Sequence, residues 1–295
     1  MNPTPRHEPT AYEPTAYERD TSGHVTYGQV TGVDTHAHVL RTDLPLTPDR
    51  HSAPARDATV EEYLSLLDSA GLSHGVLTAP SFYGTDNTLL LQALAAAPDR
   101  LRGTVSLPAE ADPAELHRLR ERGVVGVRFN WSRWSRGDRL PDPNAPEYQR
   151  LFAAARDADL HVEVLIEDAY LPGFAAAVAR TGAELVIDHF GLAEDAGPGT
   201  DAMVRFLEEQ RAWVKLSAPY RPPARDLRAL TERLLRTAPD RLLWGSDWPW
   251  VQHEHDVTGY GACLTALTAL TALVPDPAHR EAVLTANPGR LLGLR

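Results

Sequence analysis

Two histidines, His36 and His38, sit one residue apart in VDTHAHVL (33–40), at the end of a short apolar run. On an extended strand, side chains two apart share a face, so both rings point the same way. Paired imidazoles can ligate a metal, donate to a developing oxyanion or carry a proton. Other polar groups also arrive late in apolar runs: Arg128 and Asn130 in GVRFN (126–130), His189 in ELVIDHF (184–190) and Asp247 in RLLWGSD (241–247). A carboxylate that takes a proton from water, imidazoles that polarise a carbonyl and a guanidinium that grips an anion are the parts of a hydrolytic site.

Such groups react together only if the chain brings them to one place. Eight strand candidates span 32–38, 74–80, 102–107, 126–130, 161–166, 184–190, 213–218 and 241–247, with amphipathic helical stretches between them. Thr59 and Glu62 form a capping box at the start of a helix whose apolar stripe uses Val60, Leu64 and Leu67, with Gly71 as its left-handed stop. EYQRLFAAARDA and LPGFAAAVARTG repeat the pattern, the second ending at Gly182. The alternation predicts an α/β fold, a single-domain (β/α)8 TIM barrel over 31–295, preceded by a polar extension over 1–30 that contains EPTAY twice. An open doubly wound sheet is the alternative, but no glycine-rich dinucleotide loop follows the first strand. A barrel gathers its reactive groups at the carboxyl ends of its strands, where these residues fall.

The composition excludes several function classes. A formal charge of −11 without a basic run disfavours nucleic acid and anionic membrane as partners. The single cysteine, Cys263, rules out an internal disulfide framework and a Cys-rich zinc site. No segment reads as a signal peptide or a membrane span, so the expected location is cytoplasmic and the expected partner a small-molecule substrate. Homo-oligomerisation is left open by the sequence.

Taken together, THAH, IDHFG and WGSDWP resemble the amidohydrolase superfamily, in its amidohydrolase-related (amidohydrolase 2) branch. VRFNW and KLSAPYR are similar to segments of the 2-pyrone-4,6-dicarboxylate lactonases and sugar lactonases of that branch. The resemblance covers about residues 31–295. It implies that Arg128 and Arg221 grip substrate carboxylates. Two departures stand out: Leu192 and Ala193 follow IDHFG where the pyrone lactonases carry an arginine shortly after, and Trp250 stands where they have a histidine. These predict a bulkier, less charged substrate than a small dicarboxylate.

Metal-dependent members of the superfamily usually add a histidine or a modified lysine at the end of strand 5. Here that strand reads HVEVLIED, with Glu163, Leu165 and Glu167 facing inward, and the ligand position is Leu165, which cannot bind a cation. His161 lies at the amino-terminal end and reads as structural. No cofactor is therefore expected. The alternative is one zinc ion on His36, His38, His189 and Asp247, with Glu163 or Glu167 as a stand-in ligand.

The expected reaction is hydrolysis of a lactone or related cyclic ester bearing a carboxylate. Asp247 activates water and His36, His38 and His189 polarise the carbonyl. Substrate contacts are expected from Arg128, Arg221, Asn130, Tyr83, Trp131 and Trp250, with Asn87, Arg133, Trp134 and Arg136 in the same loops; His253 and His255, which follow a Trp-Pro-Trp loop and not a strand, read as surface histidines. A zinc-dependent decarboxylase or amidohydrolase is the second reading, and a catalytically inactive ligand-binding barrel the third.

Overall fold

Eight short apolar runs become parallel strands that pair in sequence order, each joined to the next by a helix-bearing crossover. They are β1 (Val33–Ala37), β2 (His74–Thr78), β3 (Leu101–Val105), β4 (Val124–Asn130), β5 (His161–Leu165), β6 (Leu185–Ile187), β7 (Ala212–Ser217) and β8 (Leu242–Gly245). The computed structural model describes residues 18–19, 25–26, 30–48, 50–132, 140–195, 197–253 and 262–294. Just past the last strand the ring closes on the first: Asp247 N donates to His36 O (2.9 Å) and His38 N to Trp248 O (2.8 Å). This is the expected TIM barrel.

The helices α1 (Val60–Ser69), α2 (Thr88–Ala96), α3 (Pro113–Glu121), α4 (Pro146–Asp157), α5 (Leu171–Thr181), α6 (Pro198–Glu208), α7 (Leu227–Thr237) and α8 (Ala262–Leu273) follow β1 to β8. Their ends have local causes. Both halves of the Thr59–Glu62 capping box form on α1, and Gly182 ends α5 in the left-handed conformation. The fully buried face of α1 is Tyr63, Leu66 and Leu67; Val60 and Leu64 flank it, half-buried, because Tyr63 stacks on Trp248 and sets the helix's rotation.

The seam between β1 and the turn after β8 is fixed by Asp34. Its carboxylate accepts from Ser246 N (2.8 Å), Ser246 Oγ (2.6 Å) and His36 N (3.1 Å). One buried acid thus holds the first histidine and the turn that carries Asp247 in register. The opposite, amino-terminal end is plugged by the C-terminal segment, where Leu292 packs on Val33, Val76 and Val125. Among the described residues no helix is long and apolar enough to cross a membrane. Near the N-terminus, 18–19 pairs antiparallel with 25–26.

Candidate active site

At the carboxyl end of the barrel, three imidazoles converge on one carboxylate oxygen. Nε2 of His36, His38 and His189 lies 3.6, 3.9 and 3.6 Å from Asp247 Oδ1. All four residues are buried. These separations exceed direct hydrogen bonds, and neither Asp247 Oδ1 nor His36 Nε2 has a hydrogen-bond partner among the described residues. The four residues are held within reach of one small shared group.

Three of them lie past the ends of their strands, His38 immediately after β1, which ends at Ala37. β6 ends at Ile187 and β8 at Gly245, so His189 and Asp247 occupy the turns that follow, with φ of 49° and 59°. That left-handed backbone is unfavourable for a side chain and turns both toward the barrel axis. The strand limits read from apolarity therefore ran three residues too far at β6 and two at β8.

The other oxygen of Asp247 is fully engaged. Tyr220 OH donates to Oδ2 at 2.6 Å, and Arg221 donates from Nε at 2.9 Å and approaches with Nη2 at 2.9 Å. Burial pushes the Asp247 carboxyl up, but the Arg221 guanidinium and then the three imidazoles outweigh it and hold the group well below the usual carboxylate range. Burial and the adjacent carboxylate push the Tyr220 phenol up, so it remains a donor.

The imidazoles differ. His38 Nδ1 lies 2.6 Å from the Thr78 carbonyl, which can only accept, so Nδ1 carries the proton. Burial, with His36 and Arg128 nearby, pushes His38 down to about 3. It is therefore neutral near pH 7, with the Nε2 lone pair facing the site. Burial likewise holds His189 well below the usual histidine range, and its Nδ1 meets Ser217 Oγ at 2.8 Å.

Beneath the imidazoles lies a buried ionic layer. Lys215 Nζ contacts Glu163 Oε2 at 2.7 Å, Asp188 Oδ1 at 3.1 Å and His36 Nδ1 at 3.2 Å. Arg128 approaches Asp188 Oδ2 with Nη2 (3.0 Å) and Nε (3.2 Å), Glu163 Oε1 with Nε (3.3 Å) and the Ala79 carbonyl with Nη1 (2.9 Å). Two cations face two anions, which makes such burial tolerable. Burial and Asp188 push Glu163 up, but Lys215 and the neighbouring donors win and bring it down to about 2. Of these residues, Lys215 and Asp188 were not among the sequence candidates. A signal existed: lysine two residues before serine in the apolar strand AWVKLS points both into the barrel, and lysine is seldom fully buried unpaired.

The cleft above is lined by His38, Ser81, Arg128, Asn130, Leu165, His189, Arg221 and Asp247, among others. Arg128, Asn130 and Arg221 line it, although both arginines also hold site carboxylates. Leu165 ends β5 and faces the cleft with an aliphatic side chain. Glu163 lies below, engaged by Lys215 and Arg128.

Tyr83, Trp131 and Trp250 are expected at the substrate but lie elsewhere. Tyr83 OH donates to Arg41 O (2.6 Å) and accepts from Arg41 N (2.8 Å). Trp131 is buried against Phe129, Tyr148 and Phe174 on the helix side of β4. Trp250 donates to Ser246 O (3.1 Å) and lines an apolar crevice against α8. In each case burying a large ring outweighs its exposure at a loop, a choice that loop sequence does not display. Asn87 braces the chain at Ser106, donating to its carbonyl (2.8 Å) and accepting from its N–H (3.0 Å). His253 packs on the Tyr220 ring, centroids 4.5 Å apart. Arg133, Trp134, Arg136 and His255 lie outside the described residues.

Could this set hold a metal? His36, His38 and Asp247 offer atoms within 4.8 Å of one another, as do His36, Asp188 and His189. Three nitrogens and an oxygen suit zinc in type, and the nitrogen-to-Asp247 separations of 3.6–3.9 Å are only slightly longer than the roughly 3.3–3.5 Å between neighbouring donors of a tetrahedral zinc. His36 Nδ1 faces both the Lys215 ammonium at 3.2 Å and Asp188 Oδ1 at 3.3 Å, and the tautomer these two neighbours select decides whether Nε2 has a lone pair to offer a metal.

Residues 33–294 match the family model described as Amidohydrolase. The chain is similar to a 4-sulfomuconolactone hydrolase of Rhizobium radiobacter, 29% identical over 272 residues covering 88% of this chain and 89% of that one. It is similar in the same degree, 29% over 282 residues with the same coverage, to a 2-pyrone-4,6-dicarboxylate hydrolase of Comamonas testosteroni. Among solved structures, a probable 2-pyrone-4,6-dicarboxylic acid hydrolase of Acinetobacter baumannii with citric acid bound is 31% identical. It superposes with a TM-score of 0.80 over 89% of this chain and 99% of that one.

Proposed function

This chain belongs to the amidohydrolase family, and from that premise we propose that it opens a carboxylate-bearing lactone by adding water, without a metal. The observation that carries the reading is the meeting of three imidazole Nε2 atoms around Asp247 Oδ1 at 3.6–3.9 Å, below a cleft lined by Arg128 and Arg221. The lactone hydrolases among its relatives supply the substrate class.

Asp247 Oδ1 and His38 Nε2 accept the two protons of the attacking water and orient its lone pair at the lactone carbonyl. As the new C–O bond forms, Asp247 takes one proton. The carbonyl oxygen gains charge and accepts a hydrogen bond from His36 Nε2–H, which keeps its proton, a contribution of about 3–4 kcal/mol for a donor of this kind. Having an unprotonated Nε2, His38 assists the water and not the carbonyl. The tetrahedral intermediate then expels the ring oxygen, which takes the proton from Asp247, leaving a hydroxy acid. Because Asp247 is so weak a base, it holds the proton only between these two events. The free N–H groups of Arg128 and Arg221 pair with the substrate carboxylate. A small anionic substrate, one cysteine and no spanning helix among the described residues accord with a cytoplasmic location.

The test is a panel of carboxylated lactones, followed spectrophotometrically with chelator-treated enzyme whose metal content is measured. Turnover should persist at wild-type rate without metal. Turnover that vanishes on chelation and returns with zinc would overturn the metal-free reading, and no turnover on any lactone would overturn the substrate class.

A further inference from the structure

We propose that Lys215 is a positioning residue that locks the His36 proton onto Nε2, making the ring an oxyanion donor and denying its lone pair to a metal. The inference rests on the metal-free reading above and goes further by assigning its cause to a residue that touches neither water nor substrate.

His36 Nδ1 has two polar neighbours, Lys215 Nζ at 3.2 Å and Asp188 Oδ1 at 3.3 Å. They demand opposite things. An ammonium has protons and no lone pair, so it requires an unprotonated Nδ1. A carboxylate would accept a proton from Nδ1. The geometry separates them: the lysine contact meets hydrogen-bond geometry, whereas Asp188 Oδ1 accepts no hydrogen bond among the described residues. Lys215 at 3.1 Å, and Arg128 on Oδ2 at 3.0 Å, already meet the charge of Asp188. Lys215 is itself fixed by Glu163 at 2.7 Å, whose other oxygen accepts from Thr104 Oγ1 at 3.3 Å, so the ammonium cannot swing away.

The far side of the ring agrees. His36 Nε2 faces Asp247 Oδ1, an anionic oxygen with no hydrogen-bond partner among the described residues, and the bare Nε2 of His38 lies beyond it. A third lone pair there would be repelled, and a proton is attracted. Both edges of the imidazole therefore select the same tautomer. The nitrogens are inequivalent as a result: toward Asp247 Oδ1, His36 Nε2 presents a proton and His38 Nε2 a lone pair that can accept only from a water placed between them.

The direct test is two-bond 1H–15N correlation of the histidines in the full-length, chelator-treated protein, with His36 assigned by comparison with His36→Gln. A bare Nδ1 and a protonated Nε2 are expected. A protonated Nδ1 with a bare Nε2 would overturn the proposal, and no variant needs to fold for that result. A second arm uses Lys215→Met together with Glu163→Gln, which removes one charge of each sign. His36 should then shift toward the Nδ1–H tautomer. Zinc affinity, read by competition with a chromophoric chelator, should rise roughly 10–100-fold while kcat falls by a similar factor at little changed KM. An unchanged tautomer and zinc affinity in the folded variant would refute the role of Lys215 and leave the lactonase reading intact. Loss of all wild-type turnover on chelation, with the expected tautomer observed, would refute the metal-free reading alone.

Discussion

At the scale of single residues, the proposed chemistry rests on Asp247, whose neighbours set its strength as a base. Asp247→Asn keeps the size and most hydrogen bonds but cannot take a proton. Steady-state kinetics should show kcat down by roughly 10²–10⁴-fold at nearly unchanged KM. A loss confined to KM would move the base elsewhere. Arg221 is the strongest influence lowering the Asp247 carboxyl. Arg221→Met should therefore let that carboxyl rise toward its ordinary value and shift the acid limb of kcat/KM to higher pH. It should also raise KM for carboxylated lactones more than for neutral ones. A pH profile superimposable on wild type would sink this. His36, His38, His189 and Asp247 were legible in the sequence because polar groups late in apolar strands have few structural reasons to be there. Their inequivalence was not legible. It depends on Thr78 O, Lys215 Nζ and Ser217 Oγ, which come from other strands.

At the scale of elements, two strands must approach closely for the site to exist. A Cβ on Gly245 of β8 would lie 2.6 Å from His36 Cβ and 3.0 Å from His36 N. Gly245→Ala must push β1 aside, at a cost of about 1–3 kcal/mol. Urea denaturation should register that loss and assays a larger one, since a donor displaced by an ångström no longer meets the oxyanion. Wild-type activity in a folded variant would show that the β1–β8 seam does not position His36. Phe152 makes the opposite case. It packs at 0% exposure against Phe129, Tyr148 and Phe174, on the helix side of the barrel. Phe152→Ala should cost about 3–5 kcal/mol of stability while leaving KM for the folded fraction unchanged. The strand order and helix caps followed from periodicity and end signals. The exits of β6 and β8 did not, because left-handed φ at His189 and Asp247 is imposed by packing and has no glycine to announce it.

For the whole molecule, the buried site ties stability to pH. His38 titrates near 6.5 when unfolded and is held at about 3 when folded, so between those values only the unfolded chain takes up its proton. Unfolding free energy must therefore fall as pH drops from about 6.5 toward 3, by on the order of 4 kcal/mol from this ring alone. Glu163, ordinarily near 4.5 and here about 2, adds a loss that begins below 4.5. Its paired form is worth most above that value and nothing below about 2. Urea unfolding at a series of pH values should show the decline, with a shallower slope between pH 6.5 and 4.5 in a folded His38→Asn variant. Flat stability from pH 7 to 4 would contradict it. The sequence alone determined the barrel, the rim residues and the chemistry they suit, because period, end signals and residue type are local properties of a chain. Only the tertiary structure decided which imidazole donates, which accepts, and why Tyr83, Trp131 and Trp250 face away from the cleft. A proton's position on a ring, like the burial of an aromatic side chain, is set by neighbours that folding brings from distant parts of the chain.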